Sequence, residues 1–143
     1  MPCTIYSPVV EHPIIESVQA LLPGWSLQLE GAPSRWSTAR FTNDQGQLEF
    51  NSLEFTAPQD RFSKLLLGTS SYFWRREDLP DPDKKDLLRF IGGTRWLIGV
   101  VGTSERLPEA FFRQVALEVA RRLGGRVFTG TDLITPEPQT RGA

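Results

Sequence analysis

A chain of 143 residues that is 39% hydrophobic and 23% charged has the size and balance of one soluble folded domain. Sixteen basic residues against seventeen acidic ones leave a net charge of -1. That supplies neither the basic excess of a general nucleic-acid binder nor the polybasic attraction of a membrane-surface protein. One cysteine and one histidine exclude an internal disulfide and leave too few ligands for a zinc site, so no metal or cofactor is expected.

The opening MPCTIYSPVVEHPII has no basic stretch and carries three prolines, so it reads as an irregular segment and not as a signal peptide. No apolar run reaches the roughly 20 residues that span a bilayer. Cytoplasmic location is the expectation, and the excess of arginine over lysine fits a GC-rich bacterial genome.

Pro13–Leu22 predicts a short helix, with Pro13 at its first position and Ile14, Ile15, Val18, Leu21 and Leu22 on one face. Trp25, Leu27 and Leu29 alternate with polar residues and predict a half-buried strand. After a turn at Gly31-Ala32-Pro33, Trp36–Phe41 predicts a second strand, and Asn43–Gly46 a hairpin turn. Gln47–Phe55 breaks parity: Leu48 and Phe50 share one face, Leu53 and Phe55 the other. Either both faces are covered or a bulge near Asn51-Ser52 resets the pleat, and the bulge is the favoured expectation.

Pro58–Leu67 predicts a helix capped by Thr56 or Ala57 and weakened at Gly68–Ser71. Tyr72–Trp74 then reads as extended. The acidic loop Glu77–Asp83 leads to a helix capped by Asp81 or Asp83 that runs to Ile91 and stops at Gly92-Gly93. Thr94–Gly102 is a continuous, β-branched-rich apolar run, expected to be covered on both faces. Pro108–Leu123 is an amphipathic helix, Arg126–Thr129 a short strand, and Thr135–Ala143 a frayed tail after a domain of residues 1–134. These elements predict an α+β fold. An antiparallel meander joins a C-terminal strand–helix–strand unit in one sheet with helices covering it, and a right-handed crossover results if the two strands of that unit pair in parallel.

Few constellations suggest chemistry. Asp78, Asp81, Asp83 and Asp86 lack the ligand ladder of a calcium loop and read as a solvated turn. Cys3 with Glu11-His12 is a thin candidate for a thiolate dyad. Gly99–Ser104, ending a strand ahead of a helix, is a candidate anion cradle through Gly102, Thr103 and Ser104. It is neither a Walker loop nor G-x-G-x-x-G, and close helix packing explains its glycines equally well. Asp132, after the last strand, is a candidate carboxylate or an ordinary turn residue.

The most unusual cluster is Tyr72-Phe73-Trp74-Arg75-Arg76, since Trp, Tyr and Arg dominate protein-binding hot spots. Trp96 and one of Phe73 or Trp74 are expected in the core. Tyr72, Trp74, Arg75 and Arg76 are therefore the candidate partner-binding residues of a non-catalytic protein-interaction module of the adaptor, immunity-protein or regulatory-subunit kind. The alternative is a small enzyme or ligand-binding domain with its pocket near Gly99–Ser104 and Asp132. A single-stranded nucleic-acid binder fits the net charge least. The composition leaves a homo-oligomer open.

Overall fold

The computed structural model describes residues 2–9, 11, 15–54 and 60–137. The chain folds as one α+β domain built on a seven-stranded sheet in which every pairing is antiparallel. The elements are β1 (Pro2–Ser7), α1 (Ile15–Gln19), β2 (Ser26–Ala32), β3 (Arg35–Thr42), β4 (Gln47–Glu54), α2 (Arg61–Trp74), α3 (Asp81–Gly92), β5 (Trp96–Thr103), α4 (Glu109–Arg122), β6 (Arg126–Phe128) and β7 (Leu133–Ile134). Their order in the sheet is β2-β3-β4-β5-β1-β6-β7.

The meander and the strand–helix–strand unit do share one sheet. The opening segment, expected to be irregular, is instead β1, and it lies between the two strands of that unit. Ile5 pairs with Ile98 on one side and Val127 on the other. Strands β5 and β6 are therefore parallel without pairing directly.

Two apolar cores form, one on each face of the sheet. On the first, Ile5, Phe41, Leu48, Phe50, Ile98 and Val100 meet α1 through Val18 and α4 through Phe112 and Ala116. On the second, Tyr6, Leu97 and Phe128 meet α2 through Phe62 and Phe73 and α3 through Ile91. This second core explains the parity break in β4. Leu48 and Phe50 are buried in the first core, while Leu53 packs on the second. Strand β4 keeps an unbroken register with β5 from Gln47 to Glu54, so the bulge expected at Asn51-Ser52 is absent. The bulge lies in the β2–β3 pair instead, where the register shifts at Glu30/Gly31. It brings Trp36 onto the face that buries Ala39 and Phe41 despite their opposite parity. Gly31 adopts φ +100° there, and a Cβ would lie 2.8 Å from the Arg35 carbonyl oxygen.

Helix α2 is also longer than expected. Its cap is Asp60, which accepts from the Ser63 amide at 2.7 Å; Thr56, Ala57 and Pro58, like Phe55, lie outside the described residues. It continues through Gly68–Ser71 to Trp74, so Tyr72–Trp74 is helical and not extended. The reason is tertiary: Thr69 and Phe73 are buried, and the Thr69 hydroxyl bonds Tyr6 of β1 at 2.6 Å. Gly68 itself faces solvent with no atom near its missing Cβ. Gly68→Ala is expected to raise stability by about 0.5–1 kcal/mol in urea titrations, because the unfolded chain loses freedom and nothing clashes. In α3, Pro80 occupies the cap position, and Asp81 and Asp83 sit in the first turn, where they complement the helix dipole.

Candidate functional site

The candidate residues fall into three places. Gly102 lies on the α4 face of β5, and a Cβ on it would sit 2.3 Å from Phe112 Cδ1. Its glycine serves close packing of helix on strand. Ser104 closes the loop that follows: its hydroxyl donates to the Gln45 carbonyl and accepts from the amides of Arg106 at 3.0 Å and Leu107 at 2.8 Å. Thr103 and Ser104 border an open cleft of about 500 Å³ against the Asn43–Gly46 turn. Its lining is polar, and Asp132 is not part of it. Gly99 faces the other side of the sheet, beneath a separate cleft of about 300 Å³ bordered by Tyr6, Asn51 and Arg61. The residues of the expected ligand pocket are thus not gathered.

Asp132 meets Arg76 instead, which joins two candidates drawn from different readings. The Arg76 guanidinium donates to Asp132 Oδ1 at 2.9 Å, to the Thr131 carbonyl at 2.7 Å and to both oxygens of Asp78. It latches the end of α2 to the β6–β7 turn. Tyr72 adds a bond from its hydroxyl to the Thr131 carbonyl at 3.1 Å. Arg76 holds the Asp78 and Asp132 carboxyls below their ordinary value of 3.8, chiefly by these hydrogen bonds. A carboxyl depressed in the folded state adds stability above its unfolded pKa and loses it as pH falls through the lowered value. The melting temperature should therefore fall less between about pH 4 and pH 2 in Arg76→Gln than in wild type. The latch is exposed, so the difference will be small, and parallel melting curves would show that it contributes nothing.

Cys3 is buried in β1, and burial pushes its thiol up to about 11, the reverse of an activated nucleophile. His12, its proposed partner, lies outside the described residues. Among the described residues no three His, Cys, Asp or Glu side chains converge as a metal site, and no helix is long and apolar enough to cross a membrane.

Helix α2 presents a surface of another kind. Phe73 and Trp96 are core, while Trp74 is 62% exposed. Of the five large hydrophobic residues exposed among those described, Leu65, Leu67, Tyr72 and Trp74 all belong to α2, and Val101 is the fifth.

No protein-family model, curated protein or solved structure matches this chain.

The exposed large hydrophobic residues of α2 form two pairs, each two turns apart and so on one line of the helix. Leu65 and Tyr72 flank the buried stripe on the side of the sheet cleft and the Arg76 latch. Leu67 and Trp74 flank it on the side of α3. Leu67 borders a groove of about 420 Å³ whose lining includes Phe62, Leu66, Ser70 and Ile91. Trp74 lies beside Lys84 of α3, whose Nζ is 5.8 Å from the ring centroid and donates to the Trp74 carbonyl at 3.1 Å. Leu67 was not among the candidate residues. A helix ending at it hides the signal; a helix continuing to Trp74 puts the two side chains on one face.

Proposed function

We propose that this chain is a non-catalytic protein-interaction module acting in the cytoplasm, of bacterial origin, and that the α2 face carrying Leu67 and Trp74 is its binding surface. The observation that carries the reading is the pair Leu67 and Trp74, 68% and 62% exposed on one line of α2, with Leu67 at the border of a groove that Phe62, Leu66 and Ile91 help to line. Soluble domains seldom leave two large apolar side chains so exposed on one helix face without a use for them. Tryptophan adds the large contact area typical of interface anchors. Arg75, exposed at the end of α2, complements it. Arg76 is engaged internally by Asp78 and Asp132, so its role is to hold the helix end.

The test is affinity capture from source cells, followed by calorimetric titration of the purified partner against wild type and Leu67→Ser/Trp74→Ala. Truncating a hot spot costs roughly 2 kcal/mol or more in binding, so the variant should bind at least about tenfold more weakly while melting like wild type. Wild-type affinity in the folded variant, or a small molecule recovered in place of a protein, would refute this assignment.

A further inference from the structure

The apolar ridge Leu67–Trp74 is bracketed by cations. Lys64 and Arg75 lie three turns apart on one line of α2, directly beside it. On the opposite side Arg95 borders the groove that Leu67 borders, and Lys84 sits against Trp74. Lys64, Arg75 and Arg95 are exposed. Helix α2 has no acidic residue from Arg61 to Trp74. The carboxylates of this region are those of Asp60, which caps the start of α2, of Asp78, paired with Arg76 and also drawn to Lys84, of Glu77, Asp81 and Asp83 around the start of α3, and of Asp86, paired with Arg126. This pattern stands out in a chain whose net charge is -1.

We infer that the α2–α3 face takes an acidic amphipathic helix of another protein. Its apolar side chains would lie along the groove beside Leu67 and Trp74, and its carboxylates would meet the four cations at the corners. This inference rests on the reading of the face as a protein-binding surface. The two apolar anchors are about 10 Å apart along α2, the spacing of positions i and i+7 on a partner helix. Opposite charge at the rim sets orientation and speeds encounter more than it adds affinity. A second copy of this chain fits poorly, because a twofold contact would set cations against cations. Single-stranded nucleic acid fits poorly as well. The groove lining mixes Phe62, Leu66 and Ile91 with Ser70 and Arg95, and its apolar part is mainly aliphatic, without the row of rings on which successive bases stack.

A phage library of single helices randomised along one face, panned against the full chain, tests this. Enriched helices, synthesised as labelled peptides, should carry apolar residues at i, i+3 or i+4, and i+7 with Asp or Glu on both flanks. By fluorescence anisotropy they should bind wild type at least about tenfold tighter than either Leu67→Ser or Lys64→Glu/Arg95→Glu, and the preference should shrink in high salt. All three substituted residues are exposed, and matching melting curves confirm intact folds; Trp74→Ala replaces Leu67→Ser if that variant melts early. Enrichment of neutral or basic helices that still need Leu67 would overturn the acidic partner and leave the protein-binding reading standing. Helices indifferent to Leu67 and Trp74, or no enrichment at all, would overturn both. Tighter binding of an oligo(dT) strand than of any enriched helix would assign the face to nucleic acid. Concentration-dependent dimerisation lost in Leu67→Ser would assign it to a second copy.

Discussion

Removal of residues 1–8 is expected to abolish the cooperative thermal transition. Strand β1 forms six residue pairs with β5 and three with β6, and it stands between two strands that do not touch each other. Its side chains serve both cores. Ile5 is fully buried on the α4 face, and Tyr6 is buried on the α2 face with its hydroxyl on Thr69. The Ser7 hydroxyl donates to the Leu123 carbonyl at 3.0 Å, satisfying an end of α4. Without β1, two ladders lose their partners and both cores open to water. Domains of this size are stable by only about 5–15 kcal/mol, less than so many lost contacts. The point variant Ile5→Ala, at about 2–5 kcal/mol, gives the same answer in a chain that still folds. Circular dichroism melts of both variants decide it. A truncated chain that melts sharply near the wild-type temperature would mean that β5 and β6 can close directly on each other.

Phe112→Ala is expected to cost about 3–5 kcal/mol, and Gly102→Ala about 1–3 kcal/mol, but the two together should cost less than their sum. The Phe112 ring lies over Gly102, with three ring atoms within 2.8 Å of where a Cβ would stand. Adding the methyl forces the ring and α4 outward. Removing the ring leaves a cavity that the methyl partly fills. Residues in such contact show coupling of about 0.5–3 kcal/mol, readable from urea titrations of the two single variants and the double. Strict additivity would place the ring elsewhere and reopen the use of Gly102 for something other than packing.

The two sides of this candidate site were unequally legible. The aromatic–arginine cluster was visible as composition, and it did contain the exposed Trp74. Which ring faced outward depended on whether Tyr72–Trp74 was strand or helix. In an extended segment alternate rings face opposite sides, whereas in a helix successive side chains turn by about 100°. Leu67 came to light only with the helical geometry. The Arg76–Asp132 pair joins residues far apart in sequence, and neither carries a local mark of the other.

Sequence alone determined the class of object. Apolar alternation in Trp25–Phe41, turn residues at Asn43–Gly46, and helical spacing in Pro108–Leu123 are local signals. They specified an α+β fold with an antiparallel meander and a C-terminal strand–helix–strand unit in one sheet. Tertiary structure decided whatever depended on cover from distant segments. It placed β1 inside the sheet, between β5 and β6, because Cys3, Ile5 and Tyr6 are buried there while prolines punctuate the surrounding sequence. It kept β4 flat, because α2 and α3 cover the face that Leu53 needs. It carried α2 through Gly68–Ser71, because Tyr6 holds Thr69 and Phe73 fills the second core. In each case the local preference is worth about 1 kcal/mol, while burial of a large side chain is worth about 2–3, so burial wins and leaves Leu67 and Trp74 on the outside.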